Sequence, residues 1–138
     1  MVYLQDIDPI SEEEIHPGAD LAGADLTGAS LVDATLTDAD LRNAKLSNAD
    51  LRNADLKNAD LKNAKLSIAS LRAADLSATD FTGANLTDVD CTDADLAGAA
   101  LNDADLILAN LKNADLTDAD LTDIDLTDAN LTGANLAG

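Results

Sequence analysis

The sequence predicts an all-β solenoid. Three observations carry that prediction: a five-residue period along most of the chain, apolar residues two apart within each period, and turn-forming residues in the positions left over. From Leu21 to Leu136 every fifth residue is Leu, except at Phe81 and Cys91. Two residues earlier stands Ala, from Ala19 to Ala134, except at Thr79, Val89 and Ile124. Between the two sits mainly Asp or Asn, as at Asp20, Asp25, Asp40, Asn85 and Asn110. The unit is A-(D/N)-L-x-x, in 24 uninterrupted copies. A sustained short repeat is the signature of a stacked architecture.

The period decides the local structure. On an α-helix five residues advance about 500°, so successive Leu residues would fall roughly 140° apart and form no buried stripe. A coiled coil needs a mean spacing near 3.5, and a long strand needs a period of two. A short extended piece followed by a corner fits. In A-D-L the Ala and Leu point inward and the Asp points out. The two x positions turn the chain with Thr or Ser followed by Asp, Asn or Gly, and Gly23, Gly28, Gly83, Gly98 and Gly133 all fall in the last slot.

Over residues 19–138 the repeat resembles the pentapeptide-repeat family. The resemblance implies four repeats per coil and a right-handed quadrilateral β-helix. At 20 residues per coil that gives about six coils and, at roughly 4.8 Å per layer, a rod about 25–30 Å long. Residues 20 apart would then stack, and residues ten apart would face each other across the interior. Phe81 and Cys91 are ten apart, so an oversized and an undersized side chain would offset one another in one layer. The expected core therefore runs through Leu21, Leu26, Leu31 and Leu36 and onward to Phe81 and Cys91. Cys91 reads as a small buried hydrophobe, flanked by Asp90 and Asp93 rather than by the positive groups that activate a thiol. Thr79 is inward by register, with its hydroxyl expected to bond backbone.

The ends depart from the repeat. Residues 1–18 read as an N-terminal cap to the β-helix domain at 19–138. Ser11-Glu12-Glu13-Glu14 is a capping-box pattern and Pro17-Gly18 a stop, which predicts a short helix over 10–16 covering the first coil. The repeat itself continues to Leu136 without a comparable cap. Exposed Leu side chains and strand edges there predict a homodimer through the C-terminal coil.

The charge is lopsided. A formal net charge of −19 argues against direct binding to nucleic acid or to an anionic membrane surface. Stacked Asp residues form ladders on two faces: Asp20, Asp40, Asp60 and Asp80 on the first, and Asp55, Asp75, Asp95 and Asp115 on the fourth. Seven of the eight basic residues (Arg42, Lys45, Arg52, Lys57, Lys62, Lys65 and Arg72) lie in the second and third coils, a belt that reads as offsetting the neighbouring ladders. Ile68, Ile107 and Leu108 occupy outward slots that are otherwise nearly always polar. Ile68 and Leu108 share a column with Asp88 between them, and this is the expected partner contact.

Several chemistries find no residues here. His16 is the only His and Cys91 the only Cys, so no catalytic Ser-His or Cys-His pair, His-ligated metal or disulfide framework is expected. No phosphate-cradling Gly loop occurs, and no cofactor is expected. Val2, Leu4, Ile7 and Ile10 are scattered among acids and form no signal-peptide core, which leaves a cytoplasmic location as the expectation. The sequence points to a non-catalytic, rigid protein-interaction module. The alternative is a DNA mimic that binds a type II topoisomerase, since family members of the quinolone-resistance type resemble a duplex in width and charge.

Overall fold

The backbone hydrogen bonds fix the coil length. The structure, a computed structural model, describes residues 11–138, so the part of the expected cap at 1–10 lies outside the described residues. Parallel bridges join residues 20 apart without a break, from Asp20↔Asp40 to Asp115↔Asn135. A shift of 20 residues is four repeats, so each coil has four sides. Each side is extended over a single bridged residue, with a two-residue corner on either hand.

In an inner repeat with Asp or Asn before Leu every backbone donor has a fixed destination, as in the unit Ala39–Asn43. The Ala39 N–H closes the preceding turn onto Leu36 O (3.1 Å), and Asp40 N–H donates to the previous coil at Ala19 O (2.9 Å). Leu41 and Asn43 donate to the next coil, at Asp60 O (2.8 Å) and Lys62 O (2.9 Å). The fifth donor, Arg42 N–H, meets the Asp40 side chain at 3.1 Å. Each Asp or Asn in the slot before Leu accepts the N–H two residues on in the same way. The slot is mainly acidic or amidic because the backbone there offers a donor that such a side chain accepts.

The last residue of each corner has positive φ. Asn and Asp fill most of these positions (Asn43 at 60°, Asp118 at 57°), alongside Gly23 at 69° and its equivalents. Positive φ at the third turn residue is what a type II turn requires, and Gly, Asn and Asp tolerate it best. Four positions depart from that chemistry: Ile68 (62°), Ala73 (54°), Ala78 (54°) and Leu108 (61°).

Inside, Leu and Ala stack into one continuous core. Leu21, Leu26, Leu31, Leu36 and Phe81 are buried, as is Cys91 on the opposite side of the same coil from Phe81. Thr79 is wholly buried and its hydroxyl donates to Leu56 O at 2.8 Å. In the last coil Leu121, Leu126 and Leu131 are only partly covered, and Leu136 is half exposed.

The helix expected over 10–16 is shorter within the described residues. It is one 3-10 turn, Glu12–Glu14, and none of its residues is buried. The capping box is formed, with Ser11 N–H donating to the Glu14 carboxylate at 2.7 Å. Three consecutive glutamates give such a turn no apolar face to pack. Only Ile15, just after it, rests against the core.

The Phe81–Cys91 pairing makes a thermodynamic prediction. Cys91→Leu alone should overpack the coil and Phe81→Leu alone should leave a void, each destabilising by roughly 1–3 kcal/mol. The double variant should recover at least about 1 kcal/mol relative to additivity, measured as a denaturation double-mutant cycle. Additive losses would show that the two side chains do not share a layer.

Candidate interaction surface

The ladders differ in how their charge is met. On the first face Arg42 pairs with Asp40 and lies 3.9 Å from Asp60, while Lys62 bridges Asp60 (3.4 Å) and Asp80 (2.9 Å). Lys45 reaches Asp25 at 3.1 Å on the second face. On the third, Arg52 pairs with Asp50 and Arg72 with Asp90. Most of the belt is thus engaged with acids of its own or an adjacent coil. These side chains are about half exposed, so each pair contributes little by itself. Among the described residues, Asp55, Asp75, Asp95 and Asp115 on the fourth face have no such partner.

Thr residues set much of the acid–base behaviour. The Thr27 hydroxyl, followed by Lys45, lowers the Asp25 carboxyl from 3.8 to about 2. Hydroxyls of Thr117, Thr122 and Thr127 lower Asp115, Asp120 and Asp125 in the same way. Asp40 and Asp50 are lowered chiefly by the guanidinium groups of Arg42 and Arg52. The D-L-T sequence is therefore a device for keeping a carboxylate ionised beside its neighbours in the ladder. Cys91 lies at the other extreme: burial, helped by Asp90, pushes its thiol up to about 12, so it stays protonated and unreactive.

The corner between the second and third faces breaks the polar pattern. Ile68 and Leu108 are 59% and 53% exposed, and among the described residues only Leu136 joins them as an exposed large hydrophobe. Ile107 lies partly buried beside Leu108. The 20-residue register stacks Ile68, Asp88 and Leu108 in consecutive layers, so the fold brings these residues into one line. One concavity escaped sequence reasoning. A groove of about 320 Å³ on the third face is lined by Val32, Arg52, Asn53, Arg72, Ala73 and Asp93. Its signal was Ala73, a small residue where Asn or Asp usually fills the corner. The groove holds both signs of charge, and its two arginines are already paired.

Comparison with known proteins settles the family. The family model for pentapeptide repeats, in eight copies, matches residues 16–43, 34–72, 54–90, 90–128 and 109–138. The chain belongs to the pentapeptide-repeat family. Its fold is accordingly the right-handed quadrilateral β-helix of that family. A pentapeptide repeat protein from the Arabidopsis thaliana thylakoid lumen is 33% identical over 72% of this chain and 69% of that one, with a TM-score of 0.70. Rfr23, a pentapeptide repeat protein from the cyanobacterium Cyanothece 51142, is 35% identical over 70% of this chain, with a TM-score of 0.58. The match spans 63% of Rfr23, less than two thirds of its length. QnrB1, a plasmid-mediated fluoroquinolone resistance protein, is 20% identical with a TM-score of 0.34, and nothing of its role transfers at that distance. Among curated proteins none matches significantly.

Two predictions follow from this surface. Carboxylates held below their unfolded value stabilise the fold above that value and lose the contribution as pH falls through the folded one. The melting temperature should therefore be flat near neutrality and fall between about pH 4 and pH 2, the range set by Asp25. Asp120→Asn/Asp125→Asn keeps both turn acceptors and should blunt that acid loss; an unchanged profile would remove these two carboxylates as its cause. In the apolar corner, Ile68→Asn should stabilise by about 1 kcal/mol, because a β-branched residue at positive φ is strained where Asn is not. A lowered melting temperature would show that Ile68 contributes packing that offsets its backbone.

Proposed function

We propose that the protein is a non-catalytic, rigid interaction module: a rod of about six coils that presents fixed side-chain columns to a protein partner in the cytoplasm. The observation that carries this reading is the corner column. Ile68 and Leu108 expose apolar side chains at backbone positions that suit Gly, Asn or Asp better on grounds of both strain and solubility. Selection for stability alone would replace them. The high negative charge supports a protein partner over nucleic acid or an anionic membrane.

The test is site-specific photo-crosslinking from Thr87, beside this column, in cells that make the protein. A discrete crosslinked protein, lost in Ile68→Asn/Leu108→Asn, is expected. The same adducts from both forms would take this corner out of the interface and with it the main support for the reading.

A second reading, a DNA-mimicking inhibitor of a type II topoisomerase, is favoured by the fourth-face ladder of Asp55, Asp75, Asp95 and Asp115, which forms no ion pair among the described residues. Absence of any effect on gyrase supercoiling at micromolar protein would remove it.

A further inference from the structure

The corner column continues past Leu108 to Asp128, so Ile68, Asp88, Leu108 and Asp128 alternate apolar and acidic, one residue per coil. Ile68 N–H donates to Thr87 O (3.0 Å), Asp88 N–H to Ile107 O (2.8 Å) and Leu108 N–H to Thr127 O (2.9 Å), which locks the layers in register. Resting on the interaction-module reading, we infer that this column docks a basic amphipathic α-helix lying along the rod, with apolar side chains at i and i+7 and Lys or Arg at i+3 and i+10.

Spacing is the first argument. Successive column residues stand at about 0, 4.8, 9.6 and 14.4 Å along the rod. Helix positions i, i+3, i+7 and i+10 rise by about 0, 4.5, 10.5 and 15 Å and lie within one stripe roughly 80° wide. The two series agree to about 1 Å over the four contacts, which is the anchor pattern by which a helix lies on a surface.

Charge is the second argument. Among the described residues the carboxylates of Asp88 and Asp128 accept no hydrogen bond and make no ion pair, unlike the Asp residues in the slot before Leu. A cation placed between two apolar contacts would be partly shielded from water there, where an ion pair is worth more than on an open face. Ile107, partly buried next to Leu108, widens the apolar contact at that end.

A second copy of the chain fits poorly. An antiparallel pair centred on Asp88 sets that carboxylate against its own copy. Centring on Leu108 sets Asp88 against Asp128 twice, and centring between them sets both acids against apolar side chains. Each register leaves like charges or an unpaired carboxylate at the contact, and two chains of net charge −19 repel at longer range as well. A basic partner removes both penalties.

The test uses the intact protein and a synthetic helical peptide carrying Leu at i and i+7, Lys at i+3 and i+10, and Ala and Gln elsewhere. A peptide of the same composition with one Leu and one Lys moved to the opposite face of the helix, which breaks the pattern in either orientation, is the control. Binding is followed by fluorescence anisotropy at two salt concentrations. Ile68→Asn/Leu108→Asn should weaken binding roughly tenfold or more while the protein stays folded, since Asn suits both backbone positions. Asp88→Asn should weaken it by about threefold and flatten its salt dependence. Equal binding of the two peptides, equal binding to wild type and Ile68→Asn/Leu108→Asn, or no binding at millimolar peptide would each overturn the inference. So would self-association of the wild-type rod that Ile68→Asn/Leu108→Asn abolishes, which would make a second copy the occupant. If the peptide fails while the cellular crosslinks still depend on Ile68 and Leu108, the interaction reading stands and the basic helix falls. If the peptide binds as expected but the crosslinks do not depend on the column, the interaction reading loses its support instead.

Discussion

The coil-to-coil backbone ladder is the constraint on which everything else rests. A single coil has four one-residue sides and cannot bury its leucines or satisfy its amides alone. Stacked at a 20-residue shift, it directs three of every five N–H groups to neighbouring coils and a fourth into its own turn. The fifth is left for the side chain before Leu, which is why that slot favours Asp or Asn, although Ser30, Thr35, Lys45, Lys65, Ser70 and Ala100 also stand there. The backbone there admits an acid without demanding one. Asn serves the same bond at Asn85, Asn110, Asn130 and Asn135, so the preference for Asp elsewhere is a further choice that the fold does not demand.

That choice carries a repulsion and several remedies. Carboxylates one layer apart repel by about 1 kcal/mol in water before salt screening. Arg42 and Lys62 answer by lying between successive acids of the first face, and Asn53 and Asn58 donate to Asp33 and Asp38 in the coil above. Thr hydroxyls stabilise the ionised form locally at Asp115, Asp120 and Asp125. The fourth face is treated differently. Its ladder has Lys57, Ser77, Ala97 and Thr117 beside it but no ion pair among the described residues, so four successive layers carry an unpaired carboxylate.

Much of this was legible in the sequence because each layer repeats one local solution. The period of five excluded a helix, the A-D-L spacing gave inward and outward sides, and Phe81 with Cys91 pointed to four sides. The reading faltered where the repeat stops. Ser11 and Glu14 form their capping box, but the apolar periodicity that would extend a helix is missing from Glu12–Glu14 and only a single turn results. The groove around Ala73 also lay hidden, since it arises from four successive coils and a side chain too small to fill a corner. Ile68 and Leu108 could be seen as misplaced by polarity. Their positive φ, which makes the misplacement energetically significant, became visible only once the turn geometry was known.

A solenoid of this kind offers a partner something a loop-built site cannot. Side chains in one column are held at a fixed spacing by backbone bonds, so a recognition pattern can be written one residue per coil without disturbing the core. The corner slot is the natural place to write it. It faces outward, takes no part in core packing, and tolerates Gly, Asn and Asp so readily that any other residue stands out energetically. The ladders then act on the rest of the surface, where their charge keeps rods apart and leaves the interrupted corner as the place of least repulsion. On the proposed reading the carboxylates, chosen beyond the acceptor that the backbone requires, and the apolar residues that it penalises belong to one design: the first clear the surface, and the second mark where contact would be made.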